Sequence, residues 1–589
     1  MADKSGATAP SAGPAPKDGL AGLAENFRFD IMAGFILFLI ALPLSLAIAV
    51  ASGVPAVAGL LTAIVGGIIG GVLGGSYVTI NGPAAGLIVI VLGCVTAMTE
   101  LAGGDVILAY QYTLAVGVVA GLIQIVLGLI KAGPMTNVFP FSVVEGMIAG
   151  IGIIIMARQF HVALGVPIVR NNPAAEGPIT MFDTFGSIPN TIMNMVPQTA
   201  MIGVIAVALM LFWPMIAGKL AKFIPAPLVI MAVTIPLAAY VNSGVAEPIV
   251  RLVKVPTEFS AVFTFPDFSM IANQASILFV VTFVLVASLE SLLTATAIEK
   301  RDPWKRRNDM NRELWSKGAA NALACAIGGI PMIAEVVRSS TNIMVGARTR
   351  WSNIFHGSFI LFFLAVLPFV LNMIPLAALA GMLIVIGFRL AHPKIWAHIA
   401  HTGKDELVFM TGTVLGVVFI DLLVGVFIGM WLAIAMNGVR AGNSNRFGSG
   451  PLFLLIHAAF LGAVAYFHYI AHNELVAIAF MIVDVFIGIM SFKTGMNVKA
   501  SGEKVDVEFS GPVVFTSLIT VRNALDKLPG GKKVSLDMSK AGLIDHTVRE
   551  KLKDISEEYA RETGGTLAVT GTQSHSPTNH HELATLVRG

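Results

Sequence analysis

Apolar residues run along this chain in blocks of about twenty, the length that a bilayer core asks of a helix. The blocks fall at 31–53, 55–74, 77–98, 106–130, 137–159, 197–216, 224–241, 275–297, 318–330, 331–345, 355–373, 375–390, 406–423 and 425–439, fourteen in all. Two more, 452–469 and 474–492, form a further apolar hairpin. The third and tenth blocks are interrupted, at Gly82-Pro83 and at Pro331, and the ninth is short. Lipid tolerates broken backbone only where protein or a water-filled cavity satisfies it. Those interruptions therefore mark a place with a purpose. From about Glu503 the pattern changes: Val505–Phe509, Pro512–Phe515, Lys533–Asp537 and Thr566–Thr570 read as strands, and 518–528 and 544–563 as amphipathic helices. This predicts a small soluble α/β domain.

Composition agrees with the pattern. Of 589 residues 56% are hydrophobic and 12% charged, which excludes an ordinary soluble globule and predicts an α-helical polytopic membrane protein. A net charge of +3 spread over loops gives no footprint for nucleic acid. Cys94 and Cys325 lie in apolar segments and read as small buried residues rather than a disulfide or a metal pair. Residues 1–28 read as a disordered leader without a cleaved signal. Lys131, Lys219, Lys222, the cluster Lys300–Arg312, Arg348, Arg350, Arg389, Lys394, Lys404, Arg440 and Arg446 fall on alternate loops, against Arg158, Arg170, Arg251 and Lys254 on the others. This bias puts both termini in the cytoplasm of a bacterial-type inner membrane.

The candidate chemistry sits at the interruptions. Gly328-Gly-Ile-Pro331 leads through Glu335 and Val337 into Arg338-Ser339, a half-helix starting in mid-membrane beside a buried cation. An intramembrane arginine costs about 2.5–3.5 kcal/mol on the insertion scale, so Arg338 needs a partner, a cavity or a substrate. Glu335, three residues earlier on the same face, is its nearest partner. Glu290, in an otherwise apolar span with Thr294 one turn on, offers hard oxygen ligands for Na⁺ or a site for H⁺. His457, His468 and His472 in the hairpin and His580-His581 near the end lack metal spacing and read as interfacial or solvated.

Ala33-Gly34, Ala41-Leu-Pro43 through Ser52-Gly53, Ile80-Asn-Gly-Pro83, Glu290-Ser-Leu-Leu293, Asn311-Arg-Glu-Leu314 with Gly318 and Asn321, and the stretch ending in Arg338 together resemble the SulP anion transporters, which carry a C-terminal STAS domain. The resemblance implies two inverted seven-span repeats, a core domain that holds substrate and a gate domain against which it moves. The breaks lie seven spans apart, as corresponding interrupted segments of an inverted repeat should. Two facing helix N-termini, each with about half a positive charge, can then hold an anion. Ala84 and Ala85 would offer N–H on one side, Val337, Arg338 and Ser339 on the other, and Ser45 and Ile48 of the first span would complete the cavity. Family members often have small or hydroxyl residues where this chain has Glu335 and Val337, and an aromatic residue where it has Ile48.

The resulting expectation is a leader (1–28), a fourteen-span transport domain (29–443), the extra hairpin (444–495), a cytoplasmic STAS-like domain (503–575) and a tail (576–589). In that domain Asp545 would cap a helix, and Thr547 is the one hydroxyl placed for phosphorylation. The function expected is secondary active transport of small anions, first Na⁺-coupled bicarbonate symport by elevator-type alternating access, otherwise H⁺-coupled sulphate or dicarboxylate transport. A nucleobase permease or a non-transporting STAS signalling protein are the more distant readings. No cofactor is expected beyond Na⁺ or H⁺ as coupling ion, no enzymatic activity, and no partner beyond the anion, the bilayer and a second copy joined in part through the STAS domain.

Overall fold

The computed structural model describes residues 14–133, 139–170, 179–441, 450–467, 474–492, 494–501, 503–525 and 531–588. The chain divides into two compact units, Met1–Gly133 with Gly152–Arg389, and Pro134–Ile151 with Leu390–Gly589.

In chain order α1 (Gly19–Ala51) and α2 (Ala56–Leu73) lead to an extended pair of residues, β1 (Asn81–Gly82), a 3-10 turn (Ala85–Leu87) and α3 (Ile88–Leu101). α4 (Val106–Leu129) and α5 (Phe141–Leu164) follow, then the short α6 (Met181–Gly186) and α7 (Ile188–Met193), α8 (Pro197–Ala217) and α9 (Ala226–Val241). α10 (Gln274–Arg301) and α11 (Met310–Ala326) precede the second extended pair, β2 (Ile333–Ala334), and α12 (Val336–Met344). α13 (Trp351–Val366), α14 (Pro368–Leu371) and α15 (Leu376–Leu390) close the first unit. Among the described residues eight helices are long and apolar enough to cross a membrane, and α3, α9 and α13 are shorter apolar helices. α12, with nine residues, is a half-span.

Helices in lipid gain little from apolar contact with one another, so close backbone approach holds them together. At the α2–α13 crossing Gly67 and Gly357 touch main chain to main chain: a Cβ on Gly67 would lie 2.6 Å from the Gly357 Cα. Polar side chains fix the remainder. Glu313 and Lys317 of α11, both without exposed surface, pair at 2.7 Å, and Glu313 also accepts from the N–H groups of Gly75 (2.8 Å) and Ser76 (3.2 Å). This pair explains why the ninth span starts at Met310 and not near 318. Asp309 caps the helix through Asn311 and Arg312 N–H, and the charged first turns are buried in partnership. Cys94 and Cys325 are free and buried.

The second unit holds α16 (Pro393–Thr402), α17 (Lys404–Phe419), α18 (Leu422–Ala441), α19 (Gly450–Ala465) and α20 (Glu474–Ser491). α16 and the α6–α7 pair fill segments that lack a span-length apolar run. A reciprocal cap between Thr180 and Asp183 starts α6. In the α19–α20 hairpin His457 Nδ1 lies 2.6 Å from Asp484 Oδ1, with both side chains fully buried. The expectation of an interfacial or solvated histidine fails at His457, because Asp484 on the facing helix supplies a partner that sequence distance hides. His468 and His472 lie outside the described residues.

The terminal domain of this unit is built from β3 (Gly495–Ser501), β4 (Lys504–Val513), α21 (Leu518–Leu525), β5 (Lys533–Ile544), α22 (His546–Thr563), β6 (Thr566–Thr570), β7 (His575–Pro577) and β8 (Leu586–Arg588). β4 runs parallel to β5 and β5 to β6, while β3 closes a hairpin on β4. Alternate residues Val505, Val507 and Phe509 of β4 enter a core with Leu536 and Met538 of β5, and this core continues to Ile434 of α18 and Phe453 of α19. Residues 576–588, expected as part of a tail, join the sheet. Leu586 and Val587 pair antiparallel with Ile544 and Leu543 of β5, and β7 pairs with β8.

Asp545 caps α22, accepting from Val548 N–H (2.8 Å) and, through its other oxygen, from Phe515 N–H (2.6 Å). Thr547 beside it is buried. Burial pushes the Asp545 carboxyl up to about 7, with Glu406 adding repulsion and the two N–H groups opposing the rise. The folded form thus holds a proton that the unfolded chain releases, so stability falls as pH rises from about 4 to about 7 and is level above. Asp545→Asn keeps a capping oxygen and removes the titration. Thermal unfolding of the full chain between those pH values is expected to show a shallower slope in the variant, and an unchanged slope would contradict this assignment.

Candidate functional site

The third and tenth spans break against each other. Asn81 pairs with Ala334 and Gly82 with Ile333 in a two-residue antiparallel ribbon. Glu335 N–H extends it by donating to the Ile80 carbonyl (2.9 Å). After each extended pair the chain turns into a helix, at Ala85 through α3 and at Val336 through α12. The first N–H groups of a helix have no intrahelical acceptor, so the crossover presents main-chain donors and two positive dipole ends from opposite directions.

Neighbouring side chains hold the ribbon in place. Thr62 of α2 both accepts from Ile330 N–H (2.7 Å) and donates to its carbonyl (3.0 Å). Met332 N–H donates to Asn321 of α11 (2.7 Å), which donates to Gln124 of α4 (2.8 Å), which in turn donates to Ser288 of α10 (3.0 Å). Ala334 N–H donates to Ser291 of α10 (3.3 Å). Asn342 of α12 donates to the Val78 carbonyl (2.9 Å) and to Ser352 of α13 (2.8 Å). Thr62, Gln124 and Ser352 were not singled out from sequence, and Ser291 and Asn342 were given no role of their own. Thr62 and Gln124 are lone polar residues in apolar runs, a weak signal that gains meaning only once the partner is known.

Arg338 is 1% exposed. Its Nε lies 2.6 Å from Glu335 Oε2, and its Nη2 donates to the Pro83 carbonyl (2.7 Å) and to Glu335 Oε1 (3.3 Å). The arginine thus ties the start of α12 to the other broken span. Its Nη1 has no hydrogen-bond partner among the described residues and lies against Gly82, where a Cβ would come within 2.8 Å of it.

Glu290 of α10 is buried, and its Oε1 has no hydrogen-bond partner among the described residues. The carboxylate rests on Gly86, at the mouth of α3: a Cβ there would fall 2.2 Å from Oε2 and 2.5 Å from Oε1. Glycine is therefore a packing requirement at 86, which the sequence reading missed. Gly86→Ala overpacks by about 1–3 kcal/mol and is expected to abolish most uptake. Adding Glu290→Asp, one methylene shorter, should recover part of it, and a double variant no better than the single would remove this contact from the argument.

The other expected residues divide. Ala84 and Ala85 are buried at the turn into α3, Ser45 and Ile48 are buried on α1, and Thr294 is buried one turn beyond Glu290. Ser45 Oγ lacks a partner among the described residues. Ser339 does not fit the expected substrate role, because its buried hydroxyl accepts from Ile80 N–H (2.9 Å) and joins the two spans. Val337 keeps an exposed side chain, so it offers the crossover only its main chain. His356 of α13, fully buried with neither ring nitrogen paired among the described residues, was also missed.

Two facing broken spans, with Arg338 paired to Glu335 at one and Glu290 resting on Gly86 at the other, are the discontinuous helices from which transporters build their sites. Residues 27–413 match the model of the sulfate permease family, and the chain belongs to that family, whose members are anion transporters and not enzymes. It is 28% identical over 427 residues to the putative sulfate transporter YvdB of Bacillus subtilis, covering 72% of this chain and 76% of that one. To the bicarbonate transporter BicA of Picosynechococcus sp. it is 27% identical over 422 residues, 71% of each chain. Among solved structures it shares its fold with the transmembrane domain of a cyanobacterial BicA (TM-score 0.57, 22% identity, 68% of this chain and 97% of that one). It also shares its fold with SLC26A9 (TM-score 0.61, 14% identity, 95% of this chain and 86% of that one).

Proposed function

We propose that this protein carries bicarbonate inward together with Na⁺, by elevator-type alternating access, as a dimer joined in part through its terminal domain, with both termini in the cytoplasm. The observation behind the reading is the charge at the crossover. Arg338 pairs with Glu335, while Glu290 rests on Gly86 at the mouth of the other half-helix, so with all three ionised the bare site carries a formal negative charge and repels the anion that it must hold. A cation at Glu290 offsets this. Oε1 of Glu290 is buried without a partner among the described residues and Thr294 lies one turn away, a donor set of hard oxygens that suits Na⁺. With the cation in place the side chains balance, and the two dipole ends, each about half a positive charge, match a single negative charge. Monovalent bicarbonate meets that balance, and divalent sulphate leaves a charge uncompensated. The bicarbonate relative supports the same choice.

Glu335 favours a second reading. A second carboxylate at the site could take a proton and admit sulphate or a dicarboxylate with H⁺. Uptake into proteoliposomes separates the two. Bicarbonate accumulation that rises with external Na⁺ at fixed pH supports the first. Sulphate or fumarate accumulation that rises as external pH falls, without Na⁺, replaces it with the second.

A further inference from the structure

We infer that Glu335 selects the substrate class: it reserves the site for an anion that brings its own O–H, accepting that hydrogen while Arg338 and the helix N-termini hold the remaining oxygens. The inference rests on the bicarbonate reading above and adds to it a residue and a rule of discrimination.

The geometry of the arginine carries the argument. A guanidinium recognises an oxyanion best through two parallel N–H groups. Here the Nε side is taken by Glu335 at 2.6 Å, and Nη2 is shared between Glu335 and the Pro83 carbonyl. An incoming anion therefore meets an arginine already paired with a carboxylate, and beside it a second carboxylate, Glu290, with one oxygen unpartnered. Ionised carboxylates only accept hydrogen bonds. An anion without hydrogens can take the Nε–Nη2 edge only by displacing Glu335 and leaving a largely desolvated charge unpaired, a large cost. At Nη1, unpartnered among the described residues, it meets the Glu335 carboxylate with no hydrogen to offer it. An anion with a hydroxyl can instead donate to the carboxylate and accept from N–H groups, so that every group remains satisfied. Sites that hydrogen-bond a substrate hydroxyl reject the analogue lacking it far more strongly than apolar pockets reject a methylene.

Bicarbonate and nitrate make the test, because both are planar monoanions of three oxygens and differ in the O–H. Competition of each against labelled bicarbonate uptake is measured in proteoliposomes at saturating Na⁺. Protection against thermal unfolding by each anion is measured in detergent, so that binding is read even where transport is lost. The wild type is expected to prefer bicarbonate over nitrate by at least about 10-fold, as for a specific hydrogen bond made or lost. Glu335→Ala should bring the ratio close to one, chiefly by admitting nitrate. Glu335→Asp, which keeps the acceptor, should retain part of the preference. A carboxylate that only steadies Arg338 would change stability and maximal rate in the variants and leave the ratio as it was, and that result overturns the inference. Bicarbonate uptake with nitrate equally effective in the wild type also overturns it, with the transport reading intact. Sulphate uptake with no bicarbonate uptake overturns both.

Discussion

Arg338→Ala is expected to reduce anion uptake to the level of liposomes without protein, the largest effect of any single change proposed for this chain. The side chain is 1% exposed and holds Glu335 and the Pro83 carbonyl together. Removing it leaves the Glu335 carboxylate without its cation, a loss of about 3–5 kcal/mol of stability in comparable buried pairs, and takes away the guanidinium that would meet the anion. Arg338→Lys keeps the charge but not the fork, and should fall between the two. Uptake affinity and rate unchanged in the alanine variant, with protein inserted at wild-type level, would remove Arg338 from the anion site.

The second large effect belongs to Glu290. Its carboxylate sits at the mouth of α3 with one oxygen unpartnered among the described residues, so on the proposed coupling a cation bound there would let anion and cation cross as a nearly neutral set, without moving bare charge through a low-dielectric core. Glu290→Gln is close in shape and uncharged. It is expected to bind the anion still and to lose accumulation against a gradient, which flux under an imposed Na⁺ gradient measures directly. A glutamine variant that follows the wild-type Na⁺ dependence would transfer the coupling to Glu335.

Much of the transmembrane part was legible because bilayer thickness sets a length, and length shows in sequence. α4, α8 and α15 begin within one residue of the apolar blocks at 106, 197 and 375. The broken spans were legible for a related reason, since Gly82-Pro83 and Pro331 interrupt runs that lipid would otherwise keep continuous. Features that depend on distant partners were not. Glu313 and Lys317 were not recognised as a pair in the sequence, and neither has exposed surface. Ser339 reads as a ligand and is a joint, because its partner is Ile80, 259 residues away. Gly86 has no motif of its own, and its necessity appears only where the Glu290 carboxylate rests on it. In the terminal domain β7 and β8 are three residues each, too short for a period of two to show.

The ribbon that joins the broken spans is made of main chain. Asn81–Gly82 and Ile333–Ala334 meet as backbone partners, and the donors at the helix mouths beside them are peptide N–H groups. Such a cradle is indifferent to the identity of the side chains around it. Residues at its rim, Glu335 and Val337 foremost, are therefore free to vary while the scaffold persists, so one architecture can be retuned from one anion to another by single substitutions. The receptacle is inherited as a shape, and its preference is written separately, in a few replaceable letters at the edge.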